Sequence, residues 1–328
     1  MLKAKAIRIR EPGGPEVLGI GEIELSAPGP SQVLVEVAAS GLNRADCLQR
    51  RGFYPAPPGV PADVPGLEFA GVVEAVGDSV AEWKPGDRVM GIVGGGSMAT
   101  RVLTKDAELM PVPKEMSLEH AAAIPEVFLT AYDAVVLQGG LGAGQTVLYH
   151  AVASGVGTAG IQIASALGAA SVGTSRTADK LPRCTELGLT HAVLVEDGQF
   201  ADAVMAAVPK GVNVILDTVG AAYLSQNVKV IAKQGRIIVI GLMGGVKGEL
   251  ALGALLAKRA SIHGSVLRSR TPAEKAALTK SFTEEMLGRF DSGELTPIVD
   301  AVLGMNDAQA AHERMDRNET FGKLVLRW

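Results

Sequence analysis

Apolar and polar residues alternate along the first third of the chain, starting with Met1–Arg10 (MLKAKAIRIR), which predicts strands with one buried face. Val33–Val37, Gly71–Val76 and Arg88–Ile92 read as further strands, separated by the turn signals Pro28-Gly29-Pro30 and Pro85-Gly86-Asp87. This is the texture of a compact, mostly β unit. A helical stretch follows at Ser117–Val136, with Ser117 as N-cap and Glu119-His120 in its first turn. From Thr146 the rhythm becomes strand, helix, strand. Strands are predicted at Thr146–His150, Ala170–Thr174, Ala192–Val195, Val212–Asp217, Arg236–Ile240 and Ser261–Leu267. Helices are predicted at 156–168, 177–187, 200–208 and 221–232, with Gly168 and Gly188 at C-cap positions. Apolar strands alternating with helices imply an α/β, doubly wound parallel sheet covered on both faces. The last segment, a charged helix and then the strand FGKLVLRW, has no further strand–helix repeat and is expected to return to the β unit. The expected division is 1–122, 123–266 and 267–328.

The first strand–helix junction of the α/β unit carries AVASGVGTAGIQIA, Ala151–Ala164. Gly155, Gly157 and Gly160, with Ser154 and Val156 in the same turn, lie where a Rossmann unit sets a dinucleotide pyrophosphate against exposed N–H groups and the positive helix end. Glycine suits that place because a β-carbon would obstruct close approach or forbid the backbone angles. A glycine-rich helix contact is the plainer reading. The second strand ends in Gly173-Thr174-Ser175-Arg176, with Lys180 one turn on. No Asp or Glu stands where a ribose 2′-hydroxyl is usually held, and a guanidinium with hydroxyls suits a 2′-phosphate. The expected cofactor is therefore NADPH. The competing reading makes Arg176 and Lys180 a solvated helix start, partly offset by Asp179.

Composition narrows the classes. The 328 residues are 47% hydrophobic and 20% charged, with a net charge of −4, which gives no support to nucleic-acid binding. Cys47 and Cys184 are the only cysteines, too few for a disulfide framework or a paired C-x-x-C metal site. His120, His150, His191, His263 and His312 are dispersed, and His150 reads as a satisfied structural histidine. No signal peptide is recognisable and no apolar stretch looks long and uninterrupted enough to cross a membrane, so a cytoplasmic protein is expected.

Several segments together resemble the zinc-free quinone oxidoreductases of the medium-chain dehydrogenase/reductase superfamily. They include Ala39–Asp46, Pro65–Glu68, Ala121–Glu126, Leu129–Tyr132, the glycine loop with Gln162, Asn213–Asp217, Gly241–Gly245, Leu267–Arg270 and Gly322-Lys323. Ser154, where most relatives have glycine, is shared with the p53-inducible-type NADPH quinone oxidoreductase subgroup, which the chain most resembles. The resemblance implies a GroES-like catalytic domain beside the Rossmann domain, and hydride transfer to a quinone in the interdomain cleft without metal. Zinc-dependent relatives place a Cys where Asn43 stands and a His where Leu67 stands, with Glu126 near the third ligand position; Asn and Leu are not strong zinc ligands. By resemblance, Asn43 and Tyr54 line the acceptor side. Asn43 would donate to the acceptor oxygen, or serve only as a turn residue; Tyr54 would hydrogen-bond the acceptor, or only pack its loop. Thr130, Gly241, Leu242, Met243, Leu267 and Arg268 would flank the cofactor, a core role being the alternative for Leu242, Met243 and Leu267. The alternative reaction is reduction of a 2-alkenal or enone carbon–carbon double bond, and a non-enzymatic, RNA-binding role is a third reading. A homodimer, or a tetramer, paired through the sixth strand is implied.

Overall fold

The computed structural model describes all residues, Met1–Trp328, and divides them into two compact units. The first comprises 1–129, 267–293 and 297–328; the second comprises 130–266 and 294–296. The first division thus falls at 129/130 rather than 122/123. Val127, Phe128 and Leu129 are buried, and the Phe128 ring meets Phe290 edge-on at 4.9 Å, which anchors them in the first unit.

In the first unit β1 (Leu2–Ile9) and β2 (Leu18–Leu25) form an antiparallel hairpin. β3 (Gln32–Leu42), β4 (Glu68–Val76), β5 (Arg88–Ile92), β6 (Arg101–Lys105) and β7 (Leu109–Pro111) follow, then β14 (Val299–Gly304) and β15 (Lys323–Arg327) from the chain's end. The sheet order is β14-β15-β3-β4-β5-β7, with β6 also paired to β3. The terminal strand joins the N-terminal sheet, β15 pairing antiparallel with β3 through Leu324↔Leu42 and Leu326↔Ser40. Val33, Val35 and Val37 of β3 point to one face, where they pack with Phe69, Val73, Val89 and Val102. Each such side chain, once buried, contributes about 1.5–3 kcal/mol before entropy is counted.

The second unit is a six-stranded parallel sheet in the order β10-β9-β8-β11-β12-β13. Its strands are β8 (Thr146–Tyr149), β9 (Ala170–Ser175), β10 (His191–Leu194), β11 (Val212–Asp217), β12 (Ile231–Val239) and β13 (Ser261–Gly264). Strand order reverses direction at β8, the first strand of the unit, so the turn after it opens at the switch point. Gly168 and Gly188 end their helices with φ of +69° and +98°, the left-handed C-cap geometry.

Three expectations are corrected. The single helix expected at Ser117–Val136 is broken into α2 (Leu118–Ala121), α3 (Pro125–Tyr132) and a wider turn at Asp133–Gln138. Pro125 lacks the N–H needed to continue α2 and disfavours helical geometry at Ile124, so the chain restarts there. Ser117 does cap α2, its hydroxyl accepting from the His120 N–H at 3.2 Å. The sixth strand stops at Gly264 rather than Leu267, opposite the last residue of β12, Val239. Leu118–Gln138 is, by length and hydropathy alone, apolar enough to cross a membrane, against the expectation that no stretch would be; 72% of an 18-residue stretch within it is buried inside the protein.

Candidate active site

Four segment ends meet in the first unit. Asn43 lies between β3 and α1 (Arg44–Arg50), Glu68 opens β4, Glu126 follows Pro125 in α3, and Lys323 opens β15. Lys323 Nζ donates to Leu42 O at 2.7 Å, Asn43 Oδ1 at 2.7 Å and Glu68 Oε1 at 2.6 Å, so its three protons have three acceptors. Glu68 is fully buried; its Oε1 also accepts from Asn43 Nδ2 at 2.9 Å and its Oε2 from the Glu126 N–H at 2.8 Å. Gly41 makes room for this carboxylate: a β-carbon there would collide with Glu68 Oε1 and come within 2.7 Å of Ala122 O.

Asn43 is therefore engaged at both ends. Its second amide proton faces Gly41 O at 3.3 Å, and only 9% of the residue is exposed. It also heads α1, where its N–H donates to Asp46 Oδ2 at 2.8 Å, while Asp46 Oδ1 accepts from Gly66 N–H at 2.8 Å. Burial outweighs these bonds and pushes the Asp46 carboxyl up to about 6. The Asn43 side chain is thus held by Glu68 and Lys323, and donation to an acceptor oxygen requires its amide to leave Glu68.

Tyr54 lies on a loop, half-buried, and Arg268 fixes that loop. The guanidinium donates to Gly94 O at 2.6 Å, Tyr54 O at 2.9 Å and Gln49 Oε1 at 2.7 Å, and lies 4.8 Å from the Tyr54 ring centre. Arg268 thus holds the Tyr54 loop, a contact that the sequence pattern does not carry. Leu267 beside it is buried in the first unit, as its plainer reading had it. Burial first, then the charge of Glu126, raises the Tyr54 phenol above its ordinary value, partly offset by Arg268. The phenol suits hydrogen bonding better than proton release. The Glu126 carboxyl is pushed up to about 8 by burial and by Glu68, with Lys323 opposing. Cys47 faces His312 Nδ1 at 3.5 Å, but burial pushes its thiol up to about 12, so it is not a nucleophile.

In the second unit the glycine loop runs from β8 into α4 (Gly155–Ala166). Ser154 is the N-cap, its Oγ accepting from Gly157 N–H at 3.2 Å, and the hydroxyl hydrogen has no protein acceptor. Gly157 and Gly160 are required by packing rather than by backbone angle. A β-carbon on Gly157 would strike the Val152 backbone, and one on Gly160 would strike the Tyr149 ring. Ser175 is buried and turns back on Thr177, donating to its carbonyl and accepting from its N–H, both at 3.0 Å. Arg176 is exposed and forms no ion pair, while Lys180 is partly exposed on the following turn. Val156 and Thr130 are partly exposed, and Leu242 and Met243 are 50% and 56% exposed, which removes the core reading for that pair. Gly241 donates its N–H to Asp217 O at 3.3 Å. His150 is structural: Nδ1 meets Thr174 Oγ1 at 2.9 Å and Nε2 meets Asn227 Oδ1 at 2.7 Å, with Asn227 in turn donating to Asp217.

The donor set fits a dinucleotide in this second unit. A capped 12-residue helix opens at the sheet's switch point, and no carboxylate ends the second strand. Residues 29–114 match the family described as alcohol dehydrogenase GroES-like domain, and residues 155–283 match that described as zinc-binding dehydrogenase. Human quinone oxidoreductase is 31% identical over 327 residues, covering 98% of this chain and 97% of its own. The chain belongs to the medium-chain dehydrogenase/reductase superfamily. Its fold is accordingly the Rossmann-like parallel sheet with a mostly β, GroES-like domain, and it is a nicotinamide-dependent oxidoreductase. Among solved structures, the quinone oxidoreductase of Pseudomonas syringae pv. Tomato DC3000 superposes with a TM-score of 0.88 at 32% identity, covering 99% of this chain and 100% of that one. CurK enoyl reductase superposes with a TM-score of 0.87 at 27% identity, covering 99% of each chain.

The Glu68–Lys323 pair and Glu126 were not singled out as functional from the sequence. Their one signal is a charge at the head of an apolar run, in Leu67-Glu68-Phe69 and Gly322-Lys323-Leu324.

Proposed function

We propose that the protein is an NADPH:quinone oxidoreductase that works without zinc, of the p53-inducible type. The observation that carries this reading is the Lys323 ammonium, fixed 2.7 Å from Asn43 Oδ1. Asn43 stands where zinc-dependent relatives have a thiolate, and its oxygen already serves a cation that would repel a dication. No three His, Cys, Asp or Glu side chains are grouped closely enough to hold a metal. An acceptor that needs no Lewis acid, such as a quinone, fits those donors. Bound reduced nicotinamide would supply the hydride. Ser154 and the N–H groups of Gly155, Val156 and Gly157 would hold its pyrophosphate, while Ser175, Arg176 and Lys180 would meet the 2′-phosphate. Arg268 holds the Tyr54 loop, so that the phenol can hydrogen-bond the acceptor. The homodimer would form through β13, the sheet edge, beside the exposed Val246, Leu256 and Val266.

Reduction of an enone is the second reading, favoured by the likeness to an enoyl reductase at 27% identity. Parallel assays with NADPH against 1,4-benzoquinone, 9,10-phenanthrenequinone and 2-alkenals separate the two. Quinone turnover that survives extensive chelation supports the proposal; turnover restored only by added zinc refutes it. Light scattering of the purified protein tests the dimer.

A further inference from the structure

Hydride transfer to a quinone or an enone leaves an anion that must take a proton, and the first unit contains several acids that could give one. We infer that Glu126 is the acid that supplies this proton. The inference rests on the reductase reading above.

Glu126 differs from its neighbours in what its carboxyl touches. The residue is half-buried at the start of α3, and its carboxyl accepts no hydrogen bond and pairs with no cation. The cation that acts on it most, Lys323, has spent its three protons on Leu42 O, Asn43 Oδ1 and Glu68 Oε1. Glu126 is thereby left beside the Glu68 carboxylate without a counter-ion of its own. Burial first, and then the charge of Glu68, disfavours ionisation there, so the carboxyl keeps its proton in the neutral range, up to about 8. The charged groups facing it are Glu68, Asp46, Lys323 and Lys275, with Arg268 and the Tyr54 phenol.

The other acids near Asn43 are excluded by their hydrogen bonds, by burial or by a tightly held proton. Both Asp46 oxygens are bound to backbone N–H groups, and the residue is fully buried. Cys47 is buried against His312. The Tyr54 phenol holds its proton more tightly than usual. Of the acids in the cluster around Asn43 and Tyr54, Glu126 pairs an unengaged carboxyl with a proton held at neutral pH.

The step balances. The acceptor gains hydrogen and an electron pair by hydride transfer, and the quinone oxygen, or the α-carbon of an enone, then bonds to the Glu126 proton. The carboxyl O–H breaks with its electrons left on the carboxylate, which solvent reprotonates.

The variants are Glu126→Gln and Glu126→Asp. Infrared difference spectra of the protein alone, taken across pH 6 to 10, should show a carboxylic acid band that titrates near pH 8 and is missing in Glu126→Gln. With NADPH and 9,10-phenanthrenequinone, the wild-type kcat should fall as pH rises through that value. Glu126→Gln should lose about 10²-fold in kcat together with this limb, and Glu126→Asp should keep a shifted limb. NADPH binding, read by fluorescence, should be unchanged in both. An unaltered kcat and limb in Glu126→Gln, or no acid band titrating in the range, overturns the inference. A wild type that shows the band but reduces no quinone or enone overturns the reductase reading itself, and the inference with it.

Discussion

Replacing Lys323 with methionine removes the cation at the centre of the first unit while keeping most of the side-chain volume. Lys323 is 3% exposed and Glu68 is fully buried, so water cannot solvate the carboxylate that is left behind. Glu68 would keep the Asn43 amide and the Glu126 N–H but lose its only ion-pair partner, at 2.6 Å. Leu42 O and Asn43 Oδ1 would lose their donor as well. Breaking one side of a buried pair costs about 3–5 kcal/mol, most of it from the charge stranded inside. Lys323→Met/Glu68→Gln removes that stranded charge, and should recover the larger part of the loss.

The chain offers a clean reporter. Its two tryptophans, Trp83 and Trp328, both belong to the first unit, so their fluorescence follows the unfolding of that unit alone. With a urea m-value of about 2 kcal/mol per molar, a loss of 3–5 kcal/mol moves the midpoint down by about 1.5–2.5 M. A shift in Lys323→Met corresponding to less than about 1 kcal/mol would place the pair among solvated surface bridges and refute the reasoning. So would a double variant no more stable than the single one.

Three further outcomes follow from the same geometry. Arg176→Ala should weaken NADPH about 10- to 100-fold and NADH little, since a charge-assisted contact is worth about 1.5–3 kcal/mol; equal losses in parallel fluorescence titrations would remove Arg176 from the 2′-phosphate. Tyr54→Phe should raise the quinone KM or lower kcat while NADPH affinity holds, and unchanged steady-state kinetics would take Tyr54 out of the site. The folded chain holds a proton on Glu126 up to about pH 8 that the unfolded chain releases near its ordinary value of 4.5. Across that window the Glu126 contribution to stability falls as pH rises, at up to about 1.4 kcal/mol per pH unit. Glu126→Gln should flatten this slope in urea titrations at pH 5.5 and 8.5, and parallel slopes would contradict the shift.

The parts of the molecule readable from the sequence are those whose determinants are local. Strands β8, β9 and β11 are continuous apolar runs between turn residues, because a parallel sheet buries both faces, and they were located to within a residue. Gly168 and Gly188 mark helix ends through their own backbone angles. The first unit was less legible. β3 is eleven residues long but carries register shifts between Leu34 and Val35 and between Val37 and Ala39, so simple alternation shows only its first half. Asn43 is singled out by the sequence as a candidate, yet its engagement with partners at positions 68 and 323 is a tertiary fact that local pattern does not carry.

A charge inside an apolar strand run nonetheless limits the fold. Glu68 begins one such run and Lys323 another, and an unpaired buried charge would cost a sizeable share of a domain's total stability. The two strands are not neighbours, since β3 lies between them, but their first residues reach across it to one another. Once that pair closes, the lysine has no proton left for a second carboxyl. Glu126 is left without a cation, and burial together with the Glu68 charge keeps it neutral. The same accounting that stabilises the β unit therefore sets aside one proton at the site, which ties the Lys323 and Glu126 variants together: loss of the ammonium should move the Glu126 titration further up. A Glu126 infrared band at the same pH in Lys323→Met as in wild type would break that link.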